Sequence, residues 1–284
     1  MSSPSYLFIS PHLDDVVLSC GGYVRRLAAA GERVIVLTVA TADPPPGARL
    51  SKLARRNHAA WRLGDAPFEL RRREDIAAMQ LLGAQYAHLG LPDMMYRRDV
   101  DGRPLYTQLR KVDVAQADWR QYAPLLRQKL ADVIEECGQP VGMFCPLTIG
   151  GHVDHVIVRR VVESLCDSQH VLYYEDYPYA GEPAALQRVL SGQKTSAAWR
   201  SNNIELTPPE VEARIAAMAC YRSQVPGLFP SFAEQMQEIM SAHIPLVGSR
   251  LAPAPDLHVS NARMAARLRA YLARVGGERY WQRT

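Results

Sequence analysis

The chain has 284 residues, of which 48% are hydrophobic and 22% charged, and its formal net charge is +4. That make-up belongs to an ordinary soluble globular protein with length for one large α/β domain or two small ones, and it excludes disordered, collagen-like and mucin-like classes. The 33 basic residues only slightly outnumber the 29 acidic ones, and no stripe of basic and aromatic residues accompanies them. A nucleic-acid partner is therefore not expected.

Five cysteines, Cys20, Cys137, Cys145, Cys166 and Cys220, are odd in number, spread out and free of any C-x-x-C pair. Free thiols in a reducing compartment are the expectation, rather than a disulfide scaffold or a cysteine metal site. The first residues lack the basic and long apolar regions of a secretory signal. No run of about 18 apolar residues suggests a membrane span. Together these features predict a cytoplasmic protein.

In chain order, Tyr6–Ile9 is a short apolar run that stops at Ser10-Pro11, as a buried strand would. The polar segment His12-Leu13-Asp14-Asp15 follows, then a helix over Val16–Ala30 that Gly31 can end. Arg33–Ala40 is a β-branched run typical of parallel sheets, which completes a βαβ unit. Helices are predicted at 48–63 and 67–82, a strand at Tyr86–Leu89 and a long polar loop at 97–119. A helix at Tyr122–Glu136, a strand at Val141–Cys145, a helix at His155–Leu165 and a strand at His170–Tyr174 follow.

After Tyr174 the character changes. The stretch 176–192 is rich in Pro, Gly and small residues, and 194–206 reads as an added strand. Helices are expected near 208–221, 230–242 and 260–274, with a Pro-rich segment at 245–255. No internal repeat is visible. The expected architecture is one α/β domain over 1–284 with a Rossmann-like, doubly wound, mostly parallel sheet and helices on both faces. Residues 1–175 would form its core and 176–284 a C-terminal extension packed on it.

Ligands of open α/β sheets gather beyond the carboxyl ends of the strands. Two polar clusters fall there. Pro11-His12-Leu13-Asp14-Asp15 follows the first strand, and Gly150-Gly151-His152-Val153-Asp154-His155 follows the strand at 141–145. A catalytic zinc takes three N or O ligands and keeps a fourth position for water. A His and a carboxylate from the first cluster, with one His from the second, would supply those three. A remaining carboxylate could take the water's proton, and a remaining His could donate one or steady an oxyanion. Taken singly, each cluster could be no more than a helix start, with Asp14 or Asp15 as a cap. Two such clusters, each at a strand tip, favour a metal centre.

His12-x-Asp14-Asp15, Leu18-Ser19-Cys20-Gly21-Gly22 and His152-x-Asp154-His155 together resemble the LmbE-like de-N-acetylases. These include the phosphatidylinositol-glycan N-acetylglucosamine deacetylase and the deacetylases of the mycothiol and bacillithiol pathways. Looser matches run along nearly the whole chain. They are Arg71-x-x-Glu74, Leu89-Gly90-Leu91-Pro92-Asp93, the Tyr173–Pro178 segment, Tyr221-x-Ser223-Gln224 and Glu278-Arg279-Tyr280-Trp281.

The resemblance implies one Zn²⁺ per chain held by His12, Asp15 and His155, with another divalent metal an alternative. It implies that Asp14 is the general base acting on a zinc-bound water. His152 would be the histidine that steadies the oxyanion or protonates the amine, and Asp154 the carboxylate partnering it. It places Arg71 and Asp93 at the substrate, with Arg71 chosen from the run Arg71, Arg72, Arg73 by its spacing to Glu74. The Tyr173–Tyr179 segment, Tyr177 included, offers aromatic rings and acids that could stack on a sugar, or an ordinary strand end with packed aromatics. Leu13 and Val16 stand where many members have Pro and Glu, which suggests a branch away from the mycothiol enzymes.

The implied reaction is hydrolysis of the N-acetyl group of an amino sugar, most often an N-acetylglucosamine conjugate. The aglycone varies in the family from inositol or malate to lipid, aminoglycoside or glycopeptide. Expected partners are thus a small amino-sugar substrate and, in a homo-oligomer, further copies of the chain. A dinucleotide enzyme would need a G-x-G-x-x-G that Cys20-Gly21-Gly22 does not provide. A phosphoesterase with the same ligands, or a sugar-binding protein without turnover, are the competing readings.

Overall fold

A computed structural model describes residues 5–63, 66–109, 113–138, 140–166, 170–191, 198–230 and 256–283. A seven-stranded sheet runs through it in the order β3-β2-β1-β4-β5-β7-β6. The strands are β1 Ser5–His12, β2 Arg33–Ala40, β3 Gln85–Leu91, β4 Gly142–Pro146, β5 Val171–Tyr174, β6 Trp199–Ile204 and β7 Glu278–Arg283. The first five are parallel, while β7 runs antiparallel to both β5 and β6. The fold is thus the mostly parallel α/β sheet expected, covered by helices on both sides.

The helices are α1 Asp15–Ala29, α2 Lys52–Trp61, α3 Pro67–Leu82, α4 Gln116–Cys137, α5 Val153–Leu165, α6 Pro183–Ser191, α7 Pro208–Met218, the single turn α8 Val225–Leu228 and α9 Leu257–Val275. Helices α1, α3 and α7 pack together, as do α4 and α5. Strands β1 and β2, inside the parallel half, are buried on both faces, so they carry near-continuous apolar runs rather than alternation. Phe8 of β1 stacks on Phe144 of β4 with ring centroids 4.2 Å apart, and Tyr23 and Tyr280 close round them. Burying one such ring contributes about 1.5–3 kcal/mol.

Strand β1 lies between β2 and β4, and the chain winds outward from it in both directions. This is the point where strand order reverses, and the crevice beyond the strand ends opens there. Gly22 has a packing role on α1: an added Cβ would stand 2.3 Å from Leu206 Cδ1 and 2.9 Å from Glu278 Oε1. The Cys20-Gly21-Gly22 segment therefore lets the C-terminal residues approach α1.

Several expected boundaries move. Helix α4 starts at Gln116, inside the segment read as loop, and carries Pro124 within it. The small-residue stretch after Tyr174 contains α6, built from Pro183-Ala-Ala-Leu at its start. The added strand begins at Trp199, and a further strand, β7, closes the chain where the sequence signalled none. Its Glu278-Arg279-Tyr280-Trp281 alternates buried and half-buried side chains, and it pairs with β5 on one side and β6 on the other. The helix expected at 230–242 and the Pro-rich segment 245–255 lie outside the described residues, save residue 230. No described helix is long and apolar enough to cross a membrane, and all five cysteines are free thiols.

Candidate metal centre and active site

The first polar cluster is built by the end of β1. Ser10 Oγ donates to the His12 carbonyl and accepts from Val16 N–H, which folds the chain back between strand and helix. Asp14 sits at the turn with φ 152°, a conformation that L residues rarely adopt, and its side chain makes no capping bond to α1. Backbone strain of this kind marks a residue held for a purpose other than local stability. The second cluster opens α5, where His152 is the N-cap and accepts from Asp154 N–H through Nδ1 at 3.2 Å.

Three ligand atoms from the two clusters meet. His12 Nδ1 lies 3.0 Å from Asp15 Oδ2 and 3.3 Å from His155 Nε2, and His155 Nε2 lies 3.2 Å from Asp15 Oδ2. An ion about 2.1 Å from three ligands at angles of about 90–109° would set them about 3.0–3.4 Å apart. The triangle fits a divalent cation. His152 adds a third imidazole near the same point, so that nitrogens of His12, His152 and His155 lie within 4.8 Å of one another. A second group, His12, Asp93 and Asp154, meets the same 4.8 Å limit. It is a poorer cation site, because the Arg97 guanidinium already donates to Asp154 Oδ1 and would repel the ion.

Electrostatics favour positive charge at the triangle. Burial opposes protonation of both histidines, yet Asp15 outweighs it, aided by Asp154 at His12 and by Asp176 at His155. His12 is raised well above its ordinary value and His155 to about 9. Burial would raise the Asp15 carboxyl, but His155 and His12 hold it well below the usual carboxylate range. Metal binding at such a set displaces protons from the imidazoles.

Asp14 is the exception. Among the described residues no donor reaches its carboxylate within hydrogen-bond distance, and Arg71 Nη2 stands 3.8 Å away. Burial, followed by the neighbouring Asp15, pushes it up to about 7. A buried carboxyl with a pKa near neutrality is suited to taking and giving a proton. His152 is pushed the other way, by burial and then by His12, so its imidazole stays neutral.

The remaining residues divide. Arg71 is buried, stacks over Trp61 at 4.6 Å and Phe68 at 5.1 Å, and faces Asp14. Of the three consecutive arginines it alone faces the site: Arg72 turns to Asp43 and the Thr41 carbonyl, and exposed Arg73 to Glu69. Asp93 caps a short turn by accepting from Met95 N–H, and its other oxygen is 3.8 Å from His12 Nε2. Asp154 does not pair with His152 through its carboxylate. Its oxygens accept from Arg97 and from Met94 N–H and approach His12 Nε2 at 3.1 Å.

Tyr177 is buried, with its ring against Phe229 and Tyr271 and its N–H donating to Ser19 Oγ. Tyr173 and Tyr174 are core residues whose hydroxyls donate to Glu163 and to the Ile9 carbonyl. For those two the packed strand end, rather than a sugar platform, is what the chain builds. Sequence reasoning gives two further residues no part in the metal centre. Asp176 accepts or shares a proton with His155 Nδ1 at 2.6 Å, and Arg97 fixes Asp154. Asp176 lies two positions beyond Tyr174, inside the Tyr173–Pro178 match, where the sequence offers it as an acid for a sugar rather than as the partner of His155.

A metal-binding set at the reversal point of a parallel α/β sheet, with a carboxyl poised near neutrality beside it, defines a hydrolase centre. Comparison with known proteins agrees. Residues 7–166, more than half of the chain, match the model of the family described as PIG-L, GlcNAc-PI de-N-acetylase. The chain is 31% identical over 223 residues to a 2'-N-acetylparomamine deacetylase of Streptomyces fradiae, covering 77% of this chain and 72% of that protein. It is 28% identical to a protein of the same description from Niallia circulans, over 81% of this chain and 84% of the other. A crystal structure described as the zinc-inhibited form of teicoplanin deacetylase Orf2 superposes with a TM-score of 0.70 at 25% identity, covering 99% of this chain and 98% of that one. The protein belongs to the PIG-L family of de-N-acetylases and is a deacetylase enzyme of that family.

Proposed function

We propose that the chain hydrolyses the N-acetyl group of an amino sugar within a small glycoside, with one Zn²⁺ held by His12, Asp15 and His155. The observation that carries the reading is the buried Asp14 carboxylate, which no donor among the described residues reaches, beside a three-ligand triangle. A divalent ion there would supply a Lewis acid and a water of lowered pKa.

The chain's own residues do the rest. Asp14 accepts a proton at its carboxylate, which burial keeps ready to do so near pH 7. His152 offers Nε2–H, because its Nδ1 is held as an acceptor by Asp154 N–H. That donor suits the amide oxygen as it gains charge, or the departing nitrogen. Arg71, buried beside Asp14, is suited to donate to sugar hydroxyls, and Asp93, buried beside His12, to accept from them. The two aminoglycoside-precursor deacetylases among the relatives make an N-acetylated pseudo-disaccharide the first substrate to try.

The test is acetate release from chelator-stripped protein, with and without added Zn²⁺, over N-acetylparomamine, N-acetylglucosaminyl-inositol and N-acetylglucosamine. Zn²⁺-dependent acetate from the pseudo-disaccharide is expected. Release of phosphate from phosphorylated analogues, or tight sugar binding without acetate, would overturn the reading.

A further inference from the structure

Both ring nitrogens of each candidate imidazole ligand are engaged. His12 turns Nδ1 to the triangle and Nε2 to Asp154 Oδ2 at 3.1 Å, while His155 turns Nε2 to the triangle and Nδ1 to Asp176 Oδ1 at 2.6 Å. Each carboxylate is anchored in turn. Asp176 Oδ2 accepts from Ile149 N–H at 2.8 Å, and Asp154 accepts from Met94 N–H and from Arg97. Arg97 is itself fixed, with its guanidinium 4.0 Å from the Tyr122 ring centre and 3.4 Å from Asp118, which accepts from Tyr106.

From this geometry we infer that Asp154 and Asp176 are positioning residues for the metal ligands, Asp154 acting on His12 and Asp176 on His155, with Arg97 locking Asp154. The inference rests on the metal reading above and deepens it. A carboxylate on the far nitrogen fixes which nitrogen carries the proton, aims the lone pair of the other and raises its basicity. Here the two histidines are fixed in opposite senses, His12 presenting Nδ1 and His155 presenting Nε2. Asp154 hydrogen-bonds His152 only through its backbone N–H, while its carboxylate touches His152 by charge alone. The short segment Asp93–Arg97 is thereby tied to the centre, since Met94 N–H and Arg97 both end on Asp154.

Metal affinity separates this from a role through His152. Zn²⁺ affinity is measured by chelator competition, and the visible bands of the Co²⁺-loaded protein report ligand geometry, with melting of the metal-free protein as the folding control. Asp154→Asn and Asp176→Asn are each expected to weaken Zn²⁺ by about 10–100-fold and to move the Co²⁺ bands. His152→Ala should leave both readouts at wild-type values. Should Asp154→Asn not fold, Arg97→Lys keeps the charge, removes the fork and is expected to weaken Zn²⁺ by a smaller factor with the same band movement. Wild-type Zn²⁺ affinity and unchanged Co²⁺ bands in these variants, with turnover falling as in His152→Ala, would overturn the inference. A wild-type chain that takes up no stoichiometric metal would instead overturn the metal reading itself.

Discussion

The parallel half of the sheet and its antiparallel edge both bury carboxylates, and they treat them in opposite ways. At the edge, Glu278 accepts from Gly22 N–H, Tyr23 N–H, Arg214 and Tyr280, with Arg214 and Glu278 both fully buried. Glu175 likewise accepts from Tyr271, Arg279 and Trp281. At the tip of β1, no donor among the described residues reaches Asp14, and Asp15, which accepts from His12 N–H at 2.8 Å, faces two imidazoles that could each hold a metal. A buried carboxylate with its full set of donors is part of the scaffold. One left short of donors can exchange protons or bind a cation.

The sharpest way to break this contrast is at a proposed ligand. His155→Ala should lose the metal and about a thousandfold or more of acetate release, while remaining folded; full metal occupancy measured by elemental analysis would remove His155 from the ligand set. At the edge the effect should be on stability alone. Glu278→Gln leaves buried Arg214 without its counter-charge and is expected to destabilise by about 3–5 kcal/mol in urea titration, with turnover per folded molecule unchanged. Gly22→Ala, which forces a Cβ against Leu206, should cost about 1–3 kcal/mol in the same titration.

The smallest effect concerns the partly exposed pair Arg26–Glu210, which ties α1 to α7. Its hydrogen bonds from Arg26 lower the Glu210 carboxyl from 4.5 to about 2. A folded-state value below the unfolded one means the pair contributes stability above about pH 4.5 and loses it as pH falls toward about 2. Solvent screening keeps the contribution within about 1 kcal/mol. Glu210→Gln should therefore be slightly less stable than wild type at pH 6, and the gap should narrow below about pH 4.5 and close near pH 2.

Much of the centre was legible because its residues are contiguous. His12, Asp14 and Asp15 directly follow a buried strand, and His152, Asp154 and His155 open a helix, so chain order alone places both groups at strand tips. Asp176 was legible only as an acid of the Tyr173–Pro178 segment and Arg97 not at all, since each reaches the metal ligands only through the fold. Strand β7 was missed for a related reason: its charged residues pair across two neighbours and into Glu175, partners far away in sequence. Tyr173 and Tyr174 show the reverse problem, because aromatic residues near a strand end look alike whether they face a ligand or the core.

The most direct test of the account is made on one variant with two readouts. Asp14→Asn, purified and reloaded with Zn²⁺, is assayed for metal per chain and for acetate release. One metal per chain with turnover reduced by about 10²–10⁴-fold is the result the account predicts, because a donor-poor carboxylate that is no ligand has been removed as base. Loss of the metal, or turnover at the wild-type rate with the metal in place, would contradict it.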